Sequence, residues 1–534
     1  MKKLILMLSL PLVLASCASV EKHNLQITRL HAVEDLHEDV DKVYKQLKRH
    51  HPRLYQYSSK ETLDFKFDSL KKSIKEPMDS RTFYKQLSQV TRFVGQGHMS
   101  VSPPSRQFKR KERKALNKTK FDINNLDFEY LDHKLLVVNA RGNDSVLVGS
   151  EVLEIKDENP LGLIEQYKKR FASDGYNTTF YNRAVGTRFM RFYLSDKGRF
   201  DSISLTFRNS DSTFVKHYKR RLKDKYASKD LDTALAKDSL QPIKTPKVKL
   251  TKVERKAKKR EAKAKRRYNS KYGYSALRDE YNRSLDFVGP DSSVAVMKIR
   301  GFSNGNYKAF YDDTFKTIDS LQTETLVIDL RDNFGGRLKE ITYLYSYLTD
   351  ENFVMINPSE INTRSPFLKY TMSNSRPTGI KILAGILSPF IYGYELCKTK
   401  KKNGQLYYRF KASREQDPKP NNFKGKIYVL INGNSFSASS VLSTKLHGDQ
   451  RATFVGEETG GAYNGTVAGF YKVYELPNTK VKARIGLAHI DAPYKTEPDG
   501  YGVKPDVEIL PTYQDRLNQR DPELEWVLED IERK

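Results

Sequence analysis

The segment 426–461 constrains this chain more than any other. Ile427, Tyr428, Val429, Leu430 and Ile431 form a β-branched and aromatic run, long enough for one buried strand. Gly433 breaks the run, and Asn434, Ser435, Phe436 and Ser437 make a polar turn. Ala438, Val441, Leu442 and Leu446 then recur at i, i+3, i+4 and i+8, which predicts a helix with one buried face that ends at Gly448. A strand feeding directly into a helix predicts an α/β layer. It also lifts a turn serine off the sheet and aims the first free N–H groups of the helix at any oxyanion formed beside it. On this stretch alone Ser435, Ser437, Ser439 and Ser440 read equally as helix caps or as nucleophiles.

The chain has 534 residues, room for roughly two to four domains. Its 27 Phe and 32 Tyr can fill a core, which argues against wholesale disorder. A net charge of +29 points to nucleic acid, an anionic surface or an acidic substrate. The N-terminus narrows that choice. Lys2 and Lys3 precede an apolar run at 4–14, the size of a signal-peptide core and too short to span a bilayer. The run ends in Leu14-Ala15-Ser16-Cys17, which resembles the bacterial lipobox, and the resemblance implies acylation of Cys17 and a membrane anchor. Export to a cell envelope makes nucleic acid an unsuitable partner. Cys397 is then unpaired, so neither a disulfide framework nor a cysteine metal cluster is expected, and no later segment is apolar enough to cross a membrane.

The expected organisation is multidomain α/β. A signal peptide (1–16) and a polar tether (17–32) lead into a helical region (33–118), where Val40, Val43, Tyr44 and Leu47, then Phe83, Leu87, Val90 and Phe93, recur at helix spacing. His50 and His51 point in different directions at a helix end and have no spaced partner, so no metal site is expected there. The region closes on Gly95-Gln-Gly97-His98, a glycine turn that holds a histidine rigidly against a strand. Residues 119–214 switch to a two-residue period and predict a β-rich domain. Within it, 148–167 resembles the late strand, turn and second helix of a PDZ domain, which implies a groove that binds peptides by strand addition. Residues 215–284 form an insertion. Its stretch 252–267 holds ten basic and two acidic residues, a solvated arm or a patch for anionic lipid or polysaccharide. An α/β domain (285–512) and a closing helix (513–534) complete the chain; 350–424 is a Tyr- and Lys-rich connection with no clear assignment.

Four stretches together resemble the tail-specific, or C-terminal processing, serine peptidases, in particular the branch related to the tricorn core. They are GQGHMSV at 95–101, LVIDLRDNFGG at 326–336, NSFSASS with VGEETGG at 434–440 and 455–461, and DGYGVKPDVEI at 499–509. The resemblance implies that Ser437 is the nucleophile, with an oxyanion hole from the N–H of Ala438 and that of Gly335 or Gly336. The branch that activates its serine with a lysine has that lysine where this chain has Ala462, and no lysine follows until Lys472. The tricorn-like branch uses a histidine, which falls on His98. Its third carboxylate falls on Asp499, an Asp in place of Glu, with Glu497 two residues away as a substitute. Gly97 stands where that branch can carry a hydroxyl.

What the resemblance implies is an envelope-anchored endopeptidase that needs no metal or cofactor. His98 takes the Ser437 proton, and Asp499 or Glu497 orients the imidazole. Its partners are a peptide or protein substrate, the membrane through Cys17, and an anionic surface through 252–267. The alternative is a binding protein on the same fold that no longer cleaves. The distance between Ser437 and His98, ~3 Å for a working pair, separates the two.

Overall fold

The computed structural model describes residues 19–223, 251–276, 278–289 and 292–533. The proposed signal peptide, Cys17 and part of the insertion (224–250) lie outside the described residues. At the centre is a six-stranded sheet in the order Arg283–Val288, Val294–Ile299, Thr325–Asp329, Lys426–Ile431, Thr453–Gly456, Val507–Glu508. The first pair is antiparallel and every other pair parallel. Parallel neighbours need crossovers that cover the sheet, and this explains the unbroken apolar runs. Ile427, Val429 and Ile431 pack under helices Tyr307–Ser320, Leu338–Tyr345 and Ala438–Gly448. Tyr428 and Leu430 face the other way, with Val527 of helix Pro522–Glu532.

Helix Ala438–Gly448 buries the expected Ala438, Val441, Leu442 and Leu446, but it is buried all round, Ser439, Ser440, Ser443 and Thr444 included. Gly448 is its last residue for a steric reason: a Cβ there would sit 2.1 Å from the Tyr494 ring.

A second sheet carries the histidine turn. Strand Lys482–Asp491 pairs with Gly465–Glu475, with Ser359–Ile361 and with Ser100–Ser102, the strand that follows His98. Helices Val33–His50, Lys60–Ser73 and Ser80–Thr91 pack behind it, with Leu36, Val43, Leu47, Phe83 and Leu87 against Ala483 and Ile485. Phe93 departs from its expected inward place. The last helix stops at Thr91, a 3-10 turn follows, and Phe93 is left at the surface. The region read as a tether is helical over 19–28, held by hydrogen bonds from Gln26 to Pro477 and Asn478.

The β-rich unit is a six-stranded antiparallel sheet that runs on through Ser212–Leu222. Its helix Thr179–Thr187 packs Phe180 and Ala184 against Phe436 of the central domain, and helix Phe189–Lys197 lays Phe189 and Tyr193 on the unit's own core. The basic stretch forms helix Lys252–Tyr272, capped by Thr251 and without a buried residue, as its composition requires. The unassigned connection contributes strand Ser359–Ile361, a hairpin Thr399–Lys402/Gln405–Tyr408 and three short helices.

Candidate active site

Two turns leave neighbouring parallel strands at their C-terminal ends, 331–336 and 432–437, and are tied into one surface. Asp329 sits under the first. It accepts the Arg331 N–H at 3.0 Å and the guanidinium at 3.0 and 2.8 Å, and Arg331 also reaches Asp521 at 2.6 and 2.8 Å. Burial alone would raise the Asp329 pKa; Arg331 and Lys298 outweigh it and hold the carboxyl well below its usual range. Between the turns, Asn432 Oδ1 accepts the Asp332 N–H at 3.0 Å, Asn434 donates to Asp332 at 2.8 Å, and Asn333 O accepts the Phe436 N–H at 3.1 Å.

The four serines separate cleanly in this setting. Ser435 donates to Leu330 O at 2.8 Å, Ser439 to Asn333 O at 2.8 Å and Ser440 to Ser435 O at 2.9 Å, and all three are buried. Ser437 is half-buried, and its Oγ lies 2.9 Å from His98 Nε2. It makes no capping bond and stands at φ 61°, ψ −119°, a left-handed geometry that a serine rarely adopts.

The oxyanion candidates also resolve. Gly335 N–H is engaged by Asn333 Oδ1 at 2.9 Å, and a Cβ on Gly335 (φ +90°) would lie 2.6 Å from Ala438 N. The N–H groups of Gly336 and Ala438 have no hydrogen-bond partner among the described residues. A Cβ on Gly336 would collide with Phe302 O at 2.0 Å, so neither glycine tolerates a side chain.

His98 reaches the serine from the opposite side. Its turn is held by the strand pairing of Ser100 with Arg484, and by Asp174, which accepts the Gly97 N–H at 2.8 Å. Gly97 lacks a hydroxyl because it lacks room: a Cβ would fall 2.6 Å from the Phe436 ring. Neither expected carboxylate touches the imidazole. Asp499 is bound by Gln56 Nε2 at 2.9 Å and by the Gly500 N–H at 2.7 Å, and exposed Glu497 makes no hydrogen bond among the described residues. The group on His98 Nδ1 is Tyr471 Oη at 3.3 Å. Arg484 stacks 3.6 Å over the Tyr471 ring and donates to His98 O at 3.4 Å. Burial, with Arg484 and Arg188 nearby, pushes the His98 pKa down to about 3, so the ring is neutral at pH 7.

Tyr471, Arg484 and Asp174 escaped the sequence reading. Tyr471 comes from a strand whose pairing shifts register between Ala468 and Tyr471, and Gly469 (φ +74°) inside the strand run is the local mark of that bulge. Asp174 carried a faint signal in the polar turn Ser173-Asp174-Gly175. It is fully buried, with one carboxylate oxygen lacking a partner, and burial raises its pKa to about 7. The same loop grips the VGEETGG stretch through Ser173 to Gly460 O at 3.0 Å and Asn177 to Thr459 O at 2.9 Å. Ala462 is buried, and among the described residues no lysine is bonded to Ser437.

A cleft of about 520 Å³ opens beside His98, walled by Phe180, Phe334 and Phe436. Arg188 projects from the β-rich unit 3.9 Å over the Phe334 ring, with no carboxylate partner among the described residues. Among the described residues no group of three His, Cys, Asp or Glu side chains converges to hold a metal ion.

Residues 293–509 match the family model described as Peptidase family S41. Among solved structures, mature CPAF is similar at 16% identity and a TM-score of 0.55, over 90% of this chain and 94% of that one. Mature CPAF complexed with lactacystin gives 16% identity and a TM-score of 0.56, over 91% and 95%. A photosystem II D1 C-terminal processing protease matches at 13% identity and a TM-score of 0.40, over 89% and 93%. No curated protein matches the sequence.

Proposed function

We propose that the chain, whose residues 293–509 match the model of peptidase family S41, is a serine peptidase that cleaves peptide bonds through an acyl-enzyme on Ser437 with His98 as general base. The observation that carries this reading is the 2.9 Å contact between Ser437 Oγ and His98 Nε2, made by the one serine of its turn whose hydroxyl is not spent on a carbonyl.

The neutral ring accepts at Nε2 only if Nδ1 carries the proton, and Nδ1–H then donates to Tyr471 Oη. Ser437 Oγ bonds to the substrate carbonyl carbon as its proton moves to His98. The N–H groups of Ala438 and Gly336 hold the oxyanion, and they cost no reorganisation because the fold leaves them unengaged. Collapse breaks the C–N bond, and His98 returns the proton to the leaving amine. Water then repeats the sequence on the acyl-enzyme. The aromatic cleft suits a peptide, and the unpaired Arg188 offers its charge to a carboxylate on it. The β-rich unit, whose helices border the cleft, is the proposed docking surface for the rest of the substrate. The lipobox-like Leu14-Ala15-Ser16-Cys17 supports an envelope location with an acyl anchor on Cys17.

The test is labelling of the purified mature protein with a fluorophosphonate probe. Wild type is expected to label, and Ser437→Ala and His98→Ala to lose the label. Labelling that survives His98→Ala removes the histidine from the mechanism, and a folded wild type that never labels makes this a binding protein.

A further inference from the structure

The helices Thr378–Ile386 and Ser388–Lys398 stand out from the core as a bent pair, 74° apart. Ile382, Leu383, Ile386, Phe390 and Tyr394 on this pair are 56–78% exposed. From Ile382 to Tyr394 the sequence contains no Asp, Glu, Lys or Arg. The neighbouring acid, Glu395, is fully buried and accepts the N–H groups of Phe367 and Leu368 at 2.6 and 3.2 Å, so it puts no negative charge on this face. Lys400, Lys401 and Lys402 follow directly, exposed and without an ion pair among the described residues. An apolar surface this continuous and exposed marks an interaction site.

We propose that this hairpin is a membrane-docking element, which inserts its apolar tip into the headgroup–acyl boundary of an anionic phospholipid bilayer and sets Lys400, Lys401 and Lys402 against the phosphates. An uncharged apolar tip beside a cationic base matches that boundary on both counts. The arms have nine and eleven residues, roughly 14–17 Å of helix at 1.5 Å per residue, too short to cross a ~30 Å hydrocarbon core. The 74° bend turns the second arm away from the line of the first, which keeps the hairpin in one leaflet. Its root is joined to the start of the described chain. Asn374 exchanges bonds with Val473 and Glu475, and Gln26 binds Pro477 and Asn478 on the same strand and turn. Ser375, at the root, also lines the catalytic cleft, so docking brings the cleft mouth to the lipid face.

The proposal extends the envelope reading but is tested without the acyl group. The mature chain with Cys17→Ser keeps every described residue and cannot be acylated there. It is expected to float with vesicles of phosphatidylglycerol and phosphatidylcholine (1:1), and about tenfold less with phosphatidylcholine alone. Ile386→Ser with Phe390→Ser, and separately Lys400→Glu with Lys401→Glu, are each expected to cut flotation about tenfold while unfolding as cooperatively as the parent. Equal flotation of parent and Ile386→Ser/Phe390→Ser, or none by the parent, overturns the proposal. A dimer in solution that the same substitutions dissolve, without flotation, assigns the face to a second copy and overturns it too. Failure of the anchor reading is separate: Cys17 unmodified by mass spectrometry in wild type leaves this result standing.

Discussion

His98 has a hydroxyl on each side: Ser437 at Nε2 and Tyr471 at Nδ1. A phenol can fix the tautomer, but it cannot stabilise the imidazolium as a carboxylate does. Tyr471→Phe keeps the ring under Arg484 and deletes only the oxygen. It is expected to lower kcat about tenfold with KM unchanged, a loss suited to an orienting group rather than a charged one. Asp499→Asn and Glu497→Gln are expected to change kcat less. A larger fall in either carboxylate variant than in Tyr471→Phe would transfer the orienting role to that acid. The torsion at Ser437 belongs to this scale too, since the left-handed backbone turns Oγ away from the carbonyls that absorb Ser435, Ser439 and Ser440.

Among the elements, the two turns of the central sheet were the most legible, because glycines, asparagines and strand runs are local signals. The strand Lys426–Ile431, its helix and the Asp329–Arg331 brace follow from neighbours in sequence. The partner of Nδ1 did not, because Tyr471 is 373 positions from His98 and is delivered through a bulge. Nor did the hairpin at 378–398, which lies in the connection left unassigned from sequence and whose apolar residues the fold leaves uncovered. Another hidden element is the buried pair behind the Gly-Gly turn. Arg283 and Glu340 are both fully buried and bonded at 2.9 and 2.6 Å, with Arg337 also on Glu340. Glu340→Gln leaves Arg283 without its counter-charge and is expected to cost about 3–5 kcal/mol in denaturant unfolding. A cost below ~1 kcal/mol would mean that the pair does not brace the turn.

At the scale of the molecule, four histidines are held neutral by burial. The pKa falls to about 4 for His50 and to about 3 for His51, His98 and His489. A depressed folded pKa means that the unfolded chain binds the proton first. Their contribution is complete above the ordinary histidine value of about 6.5 and is lost as pH falls toward 3–4. Asp174 has the opposite sign. Its raised pKa favours the fold at low pH, and that contribution fades as pH rises toward about 7. Burial also raises the pKa of Asp39, Glu340, Glu395 and Glu523 and lowers that of His31. Ordinary carboxyl values lie below pH 5, whereas the ordinary histidine value lies between pH 7.5 and pH 5, so Tm by calorimetry is expected to fall across that window. A flat Tm would show these rings reach water in the native state.

The Ser437–His98 contact joins positions 339 residues apart, and the supports of His98 come later still, from Tyr471 and from the strand Lys482–Asp491. Order of emergence therefore matters. A chain made N-terminus first releases its histidine early, its serine later and the strand that seats the histidine later still. A nascent chain that ends at 480 contains both side chains but lacks the strand that seats His98, and is expected to lack the Ser437–His98 contact.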